Sequence, residues 1–339
     1  MKYFVFLIGC MAVLAASSAD AARAIRRSSE YRNARRDGAM AEIHLRVVDD
    51  MGEFVTNASV RAVMHLSASE YSMFGTTDTN GVYVAKGKTD GNYIEFFVGK
   101  DGYYGSKAKL IYASMTEPHE VKDGKWQPYG GELKIELRKI RNPISLSPTS
   151  TGNYSYTKTL NTWVGFDLLK RDFVKPYGNG EVADFEVFFR RDGTAGQDFS
   201  GVKLCIRFVE PYAGFCQLEK AKCSSLVGPY NANSNAEYER EAEFFRYIMS
   251  KTKRYRCLFD KQKVWVVRSR CKVDENEALI SANYSVITDI SFGRRKGGGA
   301  NLCVIGLFNP TPNDTNLEDI AAVEKSRYFF QYCEPREMK

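Results

Sequence analysis

Seven short runs of β-branched and aromatic residues fall between residues 42 and 137, at 43–48, 59–66, 72–76, 82–86, 92–98, 107–112 and 132–137, each bounded by turn-forming residues. In Ile43-His44-Leu45-Arg46-Val47-Val48 apolar and polar side chains alternate. A period of two places one set on a core face and the other in solvent, which is the pattern of a half-buried strand. Asp49-Asp50-Met51-Gly52 and Thr77-Asp78-Thr79-Asn80-Gly81 supply reversals. Asp and Asn side chains bond nearby amides there, and Gly81 can take positive φ. Seven strands of this length close most simply as a β-sandwich. A chain of 339 residues is long enough for about two such domains. Arg141-Asn142-Pro143 breaks the last run, because proline donates no amide bond and restricts the residue before it. The expected first domain is therefore 41–140, and the second runs over 143–339.

Beyond the break, the segments 185–190, 203–209, 264–273, 279–292 and 302–308 read as strands, with Asp274-Glu275-Asn276-Glu277 as a hairpin connection. One helix is predicted over about 235–250. Ser234-Asn235-Ala236-Glu237 has the form of a capping box, and Tyr238, Ala242, Phe245 and Met249 recur at helical spacing. Glu237, Glu239, Glu241 and Glu243 precede Lys251, Lys253, Arg254 and Arg256, in the sense that suits a helix dipole. The expected fold class is all-β: two β-sandwich domains, the second carrying one inserted amphipathic helix.

The order Val48-Asp49-x-x-Gly52, Asn57-Ala58-x-Val60, Thr77-Asp78-Thr79-Asn80-Gly81-Val82-Tyr83 and Lys100-x-Gly102-Tyr103 resembles the carboxypeptidase regulatory-like, or transthyretin-like, domain. The resemblance covers residues 41–140. It implies a seven-strand prealbumin-like sandwich, appended to exported enzymes and receptors and itself normally without catalytic groups. Further motifs are Gly124-Lys125-Trp126-Gln127-Pro128-Tyr129, Arg141-Asn142-Pro143, Gly165-Phe166-Asp167-Leu168, Asp172-Phe173-Val174-x-Pro176-Tyr177-Gly178 and Asn309-Pro310-Thr311-Pro312-Asn313-Asp314. These resemble a family of uncharacterised exported bacterial proteins that pair such a domain with a second β-rich one, and this resemblance brings no activity with it. The sequence departs from that family in its cysteines and in the 235–250 insert.

The amino terminus sets an expected compartment. Lys2, the apolar stretch 4–16 and the small residues of Ser17-Ser18-Ala19-Asp20-Ala21-Ala22 form a three-part secretory signal over 1–21. The apolar stretch is too short to span a bilayer, so no transmembrane segment is expected in the mature chain. Leu7-Ile8-Gly9-Cys10 also reads as a lipobox, which would anchor a lipoprotein through Cys10. Residues 22–40 hold Arg23, Arg26, Arg27, Arg32, Arg35 and Arg36 and read as a basic, flexible arm. The net charge is +7, but residues 1–40 hold seven Lys and Arg against three Asp and Glu. The remaining 41 basic and 38 acidic residues leave +3. That balance gives no basic face for a phosphate backbone, and nucleic acid is not an expected partner.

Three histidines, His44, His65 and His119, all lie in the first domain. A Ser-His or Cys-His pair within the second domain is thereby ruled out, and the chain contains no His-Glu-x-x-His motif. No cofactor or metal is called for. Seven cysteines, Cys205, Cys216, Cys223, Cys257, Cys271, Cys303 and Cys333, follow residue 200 without a Cys-x-x-Cys pair. In an oxidising compartment Cys216 with Cys223, and Cys257 with Cys271, are disulfide candidates, and the odd number leaves one thiol free or paired between chains. In a reducing one, all are packed thiols. Carboxylates remain as candidate catalysts: Asp167, Asp172 and Asp184 cluster in sequence, as do Asp314, Glu318 and Asp319. Tyr154, Tyr156, Trp163 and Phe166 either line a sugar-binding surface or pack in the core. The leading expectation is a non-catalytic exported binding or interaction module, periplasmic or at the cell surface, with a glycan or an envelope protein as partner. A carboxylate-dependent glycoside hydrolase and a structural envelope protein are the alternatives.

Overall fold

The computed structural model describes residues 20–67, 69–150, 152–192, 200–248, 254–294 and 298–333. The apolar leader and Cys10 lie outside the described residues. Strands dominate, and the fold is all-β. The chain divides into two compact units: residues 1–140, 223–225 and 323–339 form the first, and 141–222 with 226–322 the second. Neither unit is one continuous stretch of sequence.

In the first unit seven strands of four residues or more are β1 (Ala39–Asp49), β2 (Ser59–Leu66), β3 (Ser69–Thr76), β4 (Val82–Thr89), β5 (Ile94–Gly99), β6 (Ser106–Leu110) and β7 (Gly131–Lys139). β1 pairs antiparallel with β4 and parallel with β7, while β3, β2, β5 and β6 form a second sheet in that order. Alternate residues point inward: Ile43, Leu45 and Val47 of β1 join Val60, Ala62 and Met64 of β2, Phe96 of β5 and Ile135 of β7 in one core. The Asp78 carboxylate accepts from the amides of Asn80 and Val82 at 2.9 and 2.8 Å. Gly81 follows at φ +69°, where a Cβ would lie 2.5 Å from the Val47 carbonyl oxygen.

The basic segment expected to be a flexible arm is helical. Residues 20–27 are helical, and a further helix, α1, spans Ser29–Asp37. Ser28 caps α1 by accepting from the Tyr31 amide at 3.1 Å, Glu30 lies in its first turn and Arg35 and Arg36 in its last. Tyr31 and Ala34, three residues apart, share a face and are buried. Tyr31 meets the buried Trp126 edge-on with ring centroids 5.7 Å apart. Arg35 donates to the Asp90 carbonyl and the Asn92 side chain at 2.9 and 2.8 Å. Packing of two apolar residues, invisible in a run of arginines, is what orders the segment.

At its edge, β6 is continued by chain from far downstream. The Lys107 amide donates to the Cys223 carbonyl at 2.8 Å and the Ser225 amide to the Gly105 carbonyl at 2.9 Å. The Ser326 hydroxyl accepts from the Gly105 amide at 2.9 Å. Ser326 belongs to helix α2 (Ile320–Cys333), which follows Asp319.

The second unit contains β8 (Trp163–Asp167), β9 (Phe185–Asp192), β10 (Ser200–Arg207), β11 (Gly214–Glu219), β12 (Glu241–Ile248), β13 (Arg254–Cys257), β14 (Lys263–Val273), β15 (Leu279–Arg294) and β16 (Ala300–Phe308). One sheet runs β8-β9-β10-β12-β13 and the other β16-β15-β14-β11. Phe166, Phe185, Phe189, Leu204 and Phe244 from the first meet Phe215, Trp265, Val267, Ile287 and Leu302 from the second in a single core. Asp274 closes the β14–β15 hairpin by accepting from the Asn276 and Ala278 amides at 2.9 and 2.8 Å.

The helix expected at about 235–250 is not formed: Glu241–Ile248 is a strand. Phe244 faces Leu204 and Ala242 faces Ile206 in register with β10, and Phe244 is buried while Glu241 and Glu243 are exposed. The run satisfies a period of two as well as one of 3.6, and a central place in a sheet decides between them. The supposed cap serves a turn, where Ser234 gives its carbonyl to Arg268 at 2.8 Å and Arg268 stacks on Tyr238 at 4.1 Å.

Candidate functional site

In β12 and β13, Arg246 and Arg256 are direct cross-strand partners. Opposed residues of an antiparallel pair project from the same face with Cβ atoms about 4.5–5.5 Å apart, and like charges so placed repel. Arg246 follows Phe244 by two residues and so shares its inward face, at the end of the sandwich where the core gives out. The two arginines line a cleft of about 430 Å³ with Tyr154, Leu258, Lys261, Asp289 and Ser291. Its floor includes Phe259 and Phe292, both buried; their rings lie 6.4 Å from that of Phe244.

Among the described residues Asp289 is the cleft's one carboxylate. Lys261 approaches it at 3.6 Å and the Ser291 hydroxyl donates to it at 3.4 Å, both long contacts. Among the described residues Arg246 and Arg256 have no carboxylate partner. Among the described residues three cations thus share with one anion a recess closed below by aromatic rings, where fields are screened less than on open surface. Guanidinium forks match carboxylate and phosphate oxygens in pairs.

Of the four aromatic residues singled out from sequence, Tyr154 stands 53% exposed on this cleft. Phe166 is 1% exposed and stacks on Phe185 with centroids 5.6 Å apart, so its place is in the core and not on a binding surface. Trp163 and Phe166, three apart on a strand, point to opposite faces. Trp163 lies beside Phe188 on the outer face, with the Arg207 guanidinium 4.1 Å from its ring. Tyr156 donates its hydroxyl to the Gly298 carbonyl at 3.2 Å. The four do not form one surface.

The carboxylates cluster differently from a cleft pair. A bulge in β14 near Ser269 and Lys272 turns Arg270, at φ +53°, toward the other sheet. Its guanidinium donates to Asp184 at 2.9 and 3.0 Å and to Asp167 at 2.9 Å. Ser269 adds a 2.6 Å bond to Asp184. Asp167 and Asp184 are 1% and 3% exposed. Burial pushes the Asp167 carboxyl up, but the amides of Glu181, Lys170 and Val182 and the Arg270 charge outweigh it and hold it below the ordinary range. Glu210, which accepts from the Cys271 amide at 2.7 Å, is pushed up by burial. Asp172 caps the turn that includes Asn179, and Glu318 accepts from the amides of Arg141 and Asn142. Every carboxylate in these contacts holds backbone or Arg270.

Among the described cysteines, Cys205, Cys216, Cys223, Cys257, Cys271 and Cys303, neither expected disulfide is present. Cys257 lies on edge strand β13 of one sheet and Cys271 in the bulged part of β14 in the other, while Cys216 pairs in register with Val266. Burial raises the Cys271 thiol to about 11. His44, His65 and His119 go separately to Glu42, Asp90 and the Gln127 carbonyl. Among the described residues no three His, Cys, Asp or Glu side chains converge as a metal site requires. Among them also, no helix is long and apolar enough to cross a membrane.

No protein-family model matches this chain, the regulatory-like family included, and no curated protein matches it. Solved structures do. A 3-chlorocatechol 1,2-dioxygenase from Rhodococcus opacus 1CP is similar at 13% identity and TM-score 0.24, over 31% of this chain and 62% of that one. The chain thus spans less than two thirds of that enzyme's length. A DUF3823 family protein from Parabacteroides merdae is similar at 7% identity and TM-score 0.21, over 81% of this chain and 98% of that one. The shaft pilin SpaA from Lactobacillus rhamnosus GG is similar at 9% identity and TM-score 0.22, over 83% and 95%.

Proposed function

We propose that this chain is an exported, non-catalytic binding protein whose second unit takes an anionic ligand in the Arg246/Arg256 cleft. One observation carries the reading: Arg246 and Arg256 are direct cross-strand partners that line one cleft, and among the described residues neither is paired with a carboxylate. An unliganded arrangement of that kind is repulsive, and an anion bridging both forks relieves it. The secretory pattern at 1–21 supports export.

The test uses the full chain and a panel of polygalacturonate, polyglutamate, polyphosphate and neutral dextran. At least one anionic polymer binds saturably, more weakly as salt rises, and Arg246→Gln/Arg256→Gln reduces that binding ten- to a hundredfold, on the order of two lost charge-assisted bonds. No binding to any anionic polymer, or binding unchanged in the double variant, overturns the reading. Export is checked by fractionating cells for the mature chain; a cytosolic product retaining its leader refutes it.

A further inference from the structure

The cleft holds more than cations, and its remaining groups narrow the ligand. We infer that it recognises a sugar acid, a hexuronate unit within a glycan, in preference to a polyphosphate or an acidic polypeptide. The inference rests on the anion-binding reading above and deepens it.

Three observations carry it. Tyr154 presents an exposed ring on the same cleft as the two arginines. A flat aromatic face gains contact with the C–H face of a pyranose, whereas a phosphate chain offers it nothing apolar. Asp289 is anionic in a site that otherwise calls for anions, and its contacts to Lys261 and Ser291, at 3.6 and 3.4 Å, leave lone pairs uncommitted. Those oxygens can accept hydroxyl protons. A hexuronate brings hydroxyl donors within one ring of its carboxylate, so guanidiniums and Asp289 are satisfied together. Polyphosphate brings only further negative charge, which Asp289 repels, and the only donors polyglutamate offers are backbone amides set apart from its carboxylates, so the same residue that helps the right ligand penalises the wrong ones. The volume, about 430 Å³, lies in the range of small-ligand sites, about 300–1,000 Å³, and fits a short part of a chain.

The closing experiment compares four probes by calorimetry on the full chain: a trigalacturonate, a triglutamate peptide, tripolyphosphate and a neutral hexose trisaccharide. Trigalacturonate is expected to bind at least tenfold more tightly than the other three. Tyr154→Ala weakens it about five- to tenfold. Asp289→Asn weakens it several-fold while tightening triglutamate. If triglutamate or tripolyphosphate binds as well as trigalacturonate, is lost in Arg246→Gln/Arg256→Gln and is untouched by Tyr154→Ala, the sugar-acid inference falls and the anion reading stands. If no probe binds, or the neutral trisaccharide binds as tightly, both fall. Unchanged melting temperatures of the variants separate these outcomes from misfolding.

Discussion

Arg270 and Asp184 join the two sheets of the second unit: the guanidinium, set on the bulged strand of one, donates twice to the carboxylate that leads into β9 of the other. Asp167 takes a third bond from the same group. Arg270→Met leaves two carboxylates buried without their cation, and breaking such a set costs about 3–5 kcal/mol. Urea unfolding of the variant is expected to show a loss of that size. A change under about 1 kcal/mol would assign the network no holding role.

The same network makes stability fall in acid. The folded Asp167 carboxyl titrates below its unfolded value, so its contribution is complete above the unfolded value, about 3.9, and fades as pH drops through the folded one. Glu210 has the opposite sign: its raised folded value favours the fold at low pH, and that contribution is lost as pH rises through it. Melting temperatures from pH 6 to pH 3 should show a steep acid limb that Asp167→Asn flattens, and Glu210→Gln should flatten the region just above the ordinary glutamate range.

Thiol reactivity should follow exposure. Cys257 is exposed, whereas Cys303 is buried and the Cys271 thiol stays protonated to about pH 11. Maleimide labelling of the folded chain at pH 7.5 is expected to mark Cys257 within minutes, and Cys271 and Cys303 only after unfolding. Mass spectra showing a Cys257–Cys271 bridge would contradict this arrangement.

Tyr31 anchors the amino-terminal helix to the first core through Trp126. Tyr31→Ala should destabilise that unit by about 3 kcal/mol, near the low end for losing a buried aromatic ring. Hydrogen exchange over 29–37 is the sharper measurement. Rates no faster than in the parent chain would show that the helix holds without this ring.

Much of the strand pattern was legible because the pleat imposes a period that one strand can show alone, as in Ile43–Val48, and because Asp274 carries its turn chemistry locally. Glu241–Ile248 was not legible. Its apolar residues fit two periods, and the deciding partners, Leu204 and Ile206, lie about forty residues away. The site suffered for the same reason. Arg246 and Arg256 belong to separate strands whose register brings them together, and along the sequence Arg256 reads as a helix-terminal charge. Tyr154 could be named as an aromatic candidate from sequence, but only strand parity separates Trp163, on the outer face, from the buried Phe166. Asp319 ahead of Ile320-Ala321-Ala322-Val323 is a helix-start signal for α2 that the sequence carries locally.

Because residues 223–225 supply the border of β6, the amino-terminal unit leaves the ribosome with an unfinished margin. Roughly 115 residues separate Leu110 from Ser225, several seconds or more of synthesis at about 5–20 residues per second. Until then Ser106–Leu110 offers bare amides and carbonyls to any neighbouring strand, a known route to self-association. A fragment ended at residue 140 keeps that hazard permanently, so its solubility reports on the missing tripeptide as much as on its own sequence.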